Sequence, residues 1–290
     1  MEHIDASHRT IRIRPTGTSR SRVSPGRRAG TIGAGGRRTE VGLDLNSDLG
    51  EGFGAWKMGD DAAMLDIVTS ANIACGFHAG DPSIMRHTCS QAVERGVRIG
   101  AHIGYRDLAG FGRRALAVDP AELRDETLYQ ISALDGFART AGDRVRYVKP
   151  HGALYHAAAA QPALADALVA ALREYDSALV LLGPAGTHLP ESAALAGIRF
   201  VSEGFADRAY TATGGLAPRD TPGAVLDADT ALAQAVTLAQ TGTARAAGGG
   251  TVTVSPDSIC VHGDTPAAVE MARRIRATLE DGGIAVASFT

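Results

Sequence analysis

From residue 40 onward the sequence alternates short apolar runs with longer stretches of helical periodicity, and this alternation constrains the fold more than any other feature. The strand candidates are 41–46, 67–74, 97–101, 145–149, 178–182, 198–202 and 258–262. Helical patterns lie between them, near 58–66, 83–95, 120–141, 162–174, 187–196 and 225–241, with a last one at 265–281. Asp81-Pro82-Ser83, Asp119-Pro120 with Glu122, and Asp264-Thr265-Pro266 read as helix starts, with proline in the first turn behind a capping group. Gly96 and Gly142 read as helix ends. Parallel neighbours need helical crossovers, so this order predicts a parallel sheet. Seven units running in one direction argue for a single (β/α) barrel of about seven parallel strands over an open sheet with a topological switch point, a choice the pattern alone does not force.

Charge divides the chain in two. Residues 1–38 hold nine arginines against Glu2 and Asp5, a net +7, so the remainder carries −10. The leader is rich in Arg, Ser, Gly and Pro and poor in large apolar residues, so it is expected to be a disordered basic extension. It lacks the apolar stretch of a secretory signal, and a transit peptide or a nucleic-acid tail is the weaker reading. Residues 40–290 form the expected barrel domain, whose acidic surface offers no field for a nucleic-acid backbone. No apolar run approaches the roughly 20 residues a membrane-spanning helix needs. Cys75, Cys89 and Cys260 show no CxxC spacing. An odd count without that spacing fits a reducing, cytoplasmic compartment.

The polar motifs fall at or just beyond the C-terminal ends of the predicted strands. Strand one runs into Asp44, Asn46, Asp48 and Glu51; strand two into Asn72, His78 and Asp81; strand three into His102. Strand four ends in Lys149 and His151, strand six leads to Glu203, Asp207 and Arg208, and strand seven to His262 and Asp264. In a barrel these ends form one face, where active sites are built. A single histidine at such a position is more often a hydrogen-bonded core residue than a ligand. Four of them, His78, His102, His151 and His262, at equivalent ends point instead to a site. His3, His8, His87 and His188 default to solvent, and His156 fits either class.

Lys149 stands out because the chain uses 27 arginines and only two lysines, the other being Lys57. A lysine before Pro150-His151 supplies a compact point charge or a titratable amine. Asp44, Asn46 and Asp48 alternate along an extended segment and so share one face, suited to a hard cation, a substrate amine or a general base. No P-loop, GxGxxG, HExxH or GxSxG motif is present, and EF-hand spacing fails. The glycines at 248–250 read as a flexible connector.

Taken together, LDLNSDLGE (43–51), SANIACGFHAGDP (70–82), GAHIGYRDLAGFGRR (100–114), VKPHGALY (148–155), EGFADRAY (203–210), LAPR (216–219) and SICVHGDTPAAV (258–269) resemble the LamB/YcsF family. The resemblance runs from about residue 41 to the C-terminus. It implies an irregular (β/α) barrel like that of polysaccharide deacetylases and the ATP-dependent opening of 5-oxoproline to glutamate. In that reaction such chains form the A component of a 5-oxoprolinase, beside subunits B and C. Ile103 and Arg106 stand where the family usually has prolines, and His156 where it usually has Asn. The resemblance puts Asp48, His78, Lys149 and His151 forward as catalytic, with Asp48 or His78 activating water. Asp44, Asn46, Asn72, Asp81, His102, Asp207, Arg208 and Arg219 are put forward as substrate-binding, with Lys149, Arg208 and Arg219 holding anionic oxygens. ATP is expected as co-substrate, and His78, His102, His151 and Asp48 form a plausible N/O set for a divalent metal. A stand-alone metal-dependent amidase or sugar deacetylase, and a non-catalytic substrate-binding subunit, are the alternatives.

Overall fold

The computed structural model describes residues 42–263 and 267–290. The chain first makes β1 (Asp44–Leu49), the short helix α1 (Asp61–Leu65), β2 (Ser70–Ala74) and α2 (Pro82–Glu94). Next come β3 (Arg98–Ile103), the long α3 (Pro120–Ala141), β4 (Tyr147–Pro150), α4 (Gly152–Ala160) and α5 (Pro162–Tyr175). β5 (Val180–Gly183), α6 (His188–Ala196) and β6 (Arg199–Phe205) follow. The chain then leaves the barrel to form α7 (Ala228–Thr241) and a hairpin of β7 (Thr243–Arg245) and β8 (Thr251–Thr253). It returns as β9 (Ser258–Cys260) and ends with α8 (Ala268–Asp281).

β1 to β6 pair in sequence, all parallel, and β9 closes the circle between β6 and β1. This is the seven-stranded barrel the alternation predicts. Its irregularity lies in the long excursion after β6 and in the three-residue closing strand. Among the described residues no helix is long and apolar enough to cross a membrane.

The helix starts follow the capping chemistry. Asp81 accepts from the backbone amides of Ser83 and Ile84, and Asp119 from that of Ala121, each just ahead of a proline. Gly142 ends α3 in the left-handed conformation, φ 101°. The signal Asp264-Thr265-Pro266 lies outside the described residues, as do the leader 1–38 and Val41.

Four sequence expectations need correction. β1 is displaced three residues toward the C-terminus from 41–46, because Leu43 instead pairs with the C-terminal segment (its amide reaches Ala285 O at 2.8 Å). In β2, Ile67 and Val68 belong to the turn closing α1, both amides bonding to Met64 O. Residues 152–160 form α4, absent from the predicted helices. Gly248, Gly249 and Gly250 are not a loose connector: all three have positive φ and turn the β7–β8 hairpin.

The shift of β1 moves its polar residues from the rim into the barrel interior. Period-two alternation turns Asp44, Asn46 and Asp48 inward, where they form the spine of a polar half-core. At the bottom, Asp44 accepts from Thr69 Oγ1 at 2.7 Å, Ser70 Oγ at 2.6 Å and the Ser258 hydroxyl. One layer higher, Asn46 donates to Ser258 Oγ (2.7 Å) and accepts from Asn72 Nδ2 (2.7 Å), while Tyr147 OH donates to Asn72 Oδ1 (2.7 Å). Asn72 Nδ2 also reaches Asp48 Oδ1 at 2.8 Å. The other half of the interior is apolar, built from Val180, Leu182, Val201 and the Tyr147 ring, with Phe289 against that ring 5.1 Å away. Helices pack outside the barrel over a continuous aliphatic core.

Candidate active site

At the C-terminal ends of the strands a cavity of about 260 Å³ opens, lined by Asp48, Glu51, His102, Lys149, His151 and His262 together with Arg113, Arg208 and Arg219. Its floor is Lys149, carried inward by β4 and only 2% exposed. Lys149 Nζ lies 2.9 Å from Asp48 Oδ1 and 2.7 Å from Glu203 Oε1, and it faces the Phe205 ring at 5.3 Å. Burial opposes its charge, but Asp48, Cys260 and Glu203 outweigh that and hold its pKa well above the usual lysine value. Burial likewise works against the Asp48 carboxylate; His102 and Lys149 override it and keep the group ionised well below its ordinary range.

Two histidine groups flank this ion pair. His262 follows β9, and its Nδ1 lies 2.8 Å from Asp207 Oδ2, while Nε2 faces Asp48 Oδ2 at 3.9 Å. Burial disfavours the imidazolium, but Asp207 reverses the sign and raises the pKa of His262. On the other side His78, His102 and His151 meet Glu51. His78 and His151 stack with centroids 3.7 Å apart and planes 7° from parallel, and His102 stands edge-on to both. Glu51, His78, His102 and His151 each bring one donor atom within 4.8 Å of the others, a group able to hold a metal ion.

The structure therefore gathers most of the residues put forward from sequence. Asp48, His102, Lys149, His151, Arg208 and Arg219 line the cavity. His78 and Asp207 stand immediately behind it, the first stacked on His151 and the second bonded to His262. Arg208 is fixed by the carbonyls of Ala217 (2.7 Å) and Ala224 (3.3 Å). Asp44, Asn46 and Asn72 lie in the layers beneath, where they support Asp48 rather than face a ligand. Asp81 is spent on capping α2 and on the Gly54 amide (2.8 Å), away from the cavity. In the group of three histidines that could hold a metal the carboxylate is Glu51, while Asp48 belongs to a second such group with Cys260 and His262. Arg106 is exposed, pairs with Glu126 at 2.9 Å and lies over the Phe77 ring, so its loop is anchored without the family's proline.

Glu51 and Glu203 stand on the strand-end face in the sequence but are given no catalytic or binding role there, and Cys260 and Phe205 are not singled out. Glu51 and Glu203 stand in the LDLNSDLGE and EGFADRAY motifs and are readable there as strand-end carboxylates. Cys260 Sγ, 3.4 Å from Lys149 Nζ, carries no signal beyond its place in the last strand.

The comparisons with known proteins bear on the family and the fold. Residues 43–290 match the model of the LamB/YcsF family. A Nocardia farcinica protein named as the A subunit of 5-oxoprolinase is 71% identical over 247 residues, 85% of this chain and 99% of its own length. A protein of the same name from Streptomyces avermitilis is 55% identical over 248 residues, again 85% of this chain and 99% of its own. The crystal structure of a lactam utilization protein from Thermus thermophilus superposes with a TM-score of 0.81 at 42% identity, covering 86% of this chain and 100% of that one.

Proposed function

Because the chain belongs to the LamB/YcsF family, we propose that it is the A subunit of an ATP-dependent 5-oxoprolinase and that the rim cavity receives the lactam. The observation that carries this reading is Lys149: a buried ammonium held between Asp48 and Glu203 at the floor of a cavity that Arg113, Arg208 and Arg219 also line. A fixed cation deep in a small cavity suits an oxygen on which negative charge develops, and the arginines suit a carboxylate or phosphate. The names of the relatives, the A subunit of 5-oxoprolinase and lactam utilization protein, support the same substrate class.

A five-membered lactam is resonance-stabilised, and water alone attacks its carbonyl poorly. ATP supplies the missing drive by transferring its γ-phosphoryl group to the amide oxygen. Water then adds to the activated carbon, the C–N bond breaks toward the ring nitrogen, and a second water releases phosphate to leave glutamate. Asp48, ionised at the cavity floor, is the proposed base for the attacking water; His78, stacked behind His151, is too recessed for that role. Lys149 orients Asp48 and stabilises the oxyanion.

The test is glutamate release from 5-oxoproline by the purified chain, with and without subunits B and C and with and without ATP. Release that requires both ATP and the partners is expected. Release by the chain alone without ATP would favour a metal-dependent amidase, the reading to which the Glu51–histidine group lends weight.

A further inference from the structure

The orientation of two buried imidazoles carries an inference that stands whether or not this chain opens a lactam. His151 Nε2 lies 2.8 Å from the Phe111 carbonyl oxygen, and His102 Nδ1 lies 3.2 Å from the Lys149 carbonyl oxygen. A carbonyl only accepts, so each of these nitrogens carries the ring hydrogen. In the neutral rings the opposite nitrogens, His151 Nδ1 and His102 Nε2, are then bare lone pairs, and they face one another at 3.0 Å. Glu51 Oε1 approaches the same point, 3.3 Å from His151 Nδ1, 3.7 Å from His102 Nε2 and 3.1 Å from His78 Nε2. Three nitrogens and a carboxylate oxygen converge on one spot, in an arrangement that is relieved only by protons shared among them or by a metal cation standing between them.

We propose that Glu51, His78, His102 and His151 bind one divalent first-row transition-metal ion. The spacing has the right size. Ligand atoms about 2.1 Å from a tetrahedral ion are separated by about 3.4 Å; four of the six pairings here run from 3.0 to 3.7 Å, and the two from His78 to the other imidazoles lie within 4.8 Å. Both carbonyl partners are of the kind that fixes a metal-bound imidazole in its tautomer. The stack also needs room that only glycine leaves. A Cβ on Gly104 would stand 2.7 Å from His78 Nδ1, and one on Gly112 would stand 2.7 Å from His78 Cβ and 2.8 Å from His151 Cδ2. Three imidazoles with a carboxylate suit Zn²⁺, Co²⁺, Ni²⁺ or Fe²⁺ better than Mg²⁺ or Ca²⁺, which prefer oxygen. Asp48 Oδ2, 3.2 Å from His102 Nε2, borders the group on the cavity side, so the ion would add its charge where Asp48 works.

The experiment uses the full chain, stripped with a chelator and titrated with Zn²⁺ and separately with Co²⁺. Bound metal is counted by elemental analysis after gel filtration, and the Co²⁺ form is read by visible absorption. One ion per chain is expected, with the intense bands of a low-coordinate Co²⁺ site. His102→Gln and Glu51→Gln should each weaken Zn²⁺ binding at least about a hundredfold, above the 10–100-fold that a supporting partner is worth. The exposed His188→Gln should bind as the unaltered chain does. Failure of the unaltered chain to retain either ion overturns the proposal, and this arm does not depend on whether a variant folds. So does Zn²⁺ binding of undiminished affinity in a natively folded Glu51→Gln or His102→Gln chain. Loss of lactam cleavage with metal binding intact would count against the proposed function alone.

Discussion

Two buried aspartates on one strand do opposite things. Asp48 is held ionised by Lys149 and His102, whereas Asp44, four residues earlier, has only neutral hydroxyl partners. Burial pushes its pKa up to about 6, against which the bonds from Ser258, Ser70 and Thr69 act only in part. In the folded state Asp44 therefore binds a proton at a pH where the unfolded chain has lost it. Its contribution is fully present below about pH 4 and is lost as pH rises through 6, a swing of about 3 kcal/mol at 1.36 kcal/mol per pH unit. Asp44→Asn should remove that dependence. The difference in unfolding free energy between the two chains, measured by denaturant at pH 4 and pH 7, should change in favour of the variant toward pH 7. Equal slopes for both chains would contradict the assignment. Asp48→Asn tests the upper layer. The amide oxygen can still accept from Lys149, so folding should survive with a modest loss, while turnover with partners and ATP should fall at least about a hundredfold if Asp48 is the base. Near-full turnover in that variant would move the role elsewhere.

Elements position these residues through a few tight junctions, of which the β4–α4 turn is the most constrained. Lys149 ends the strand facing inward, His151 caps α4, and Gly152 takes φ +52° with a hypothetical Cβ only 2.7 Å from Gly112 O. Gly152→Ala meets both a left-handed backbone and a backbone clash, so it should destabilise the fold by about 1–3 kcal/mol and, by moving His151, lower metal affinity as well. Chemical denaturation and a Zn²⁺ titration of the variant check the two effects. This junction also marks how far the sequence can be read. PHG announces a break after β4, but HGALYHAAAA carries no polar face and no capping side chain, so α4 does not stand out. The barrel was legible because seven strand–helix alternations leave few topologies. The exact span of β1 was not, because hydrophobicity favours VGLDL while the barrel interior accepts the polar DLNSDL through hydrogen bonds formed with β2 and β9. The shared face of Asp44, Asn46 and Asp48 was legible from their alternation. That Glu51 rather than Asp48 joins the three histidines depends on the turn after Leu49, which no spacing rule encodes.

At the scale of the whole molecule the barrel has two ends with different duties. The cavity sits at the C-terminal ends of the strands. The described chain enters at the opposite end, where Leu43 is bonded on both sides to the C-terminal segment (its amide to Ala285 O at 2.8 Å, its carbonyl from the Ala287 amide at 3.1 Å). The family match begins at residue 43, and the 71%-identical relative is covered over 99% of its length by 247 residues of this chain. The leader carries +7 over residues 1–38 and the remainder −10, but any attraction between such charges is screened beyond a Debye length of about 8 Å at physiological salt. It also has few large apolar side chains to fix a geometry. The barrel's closure, its polar half-core and the cavity all draw on residues after 42. Removing residues 1–38 should therefore leave the melting temperature, Zn²⁺ binding and partner-dependent turnover unchanged at physiological salt. Thermal unfolding, metal titration and the glutamate-release assay on the truncated chain measure the three. A clear fall in any of them would make the leader part of the working protein and overturn its reading as a dispensable extension.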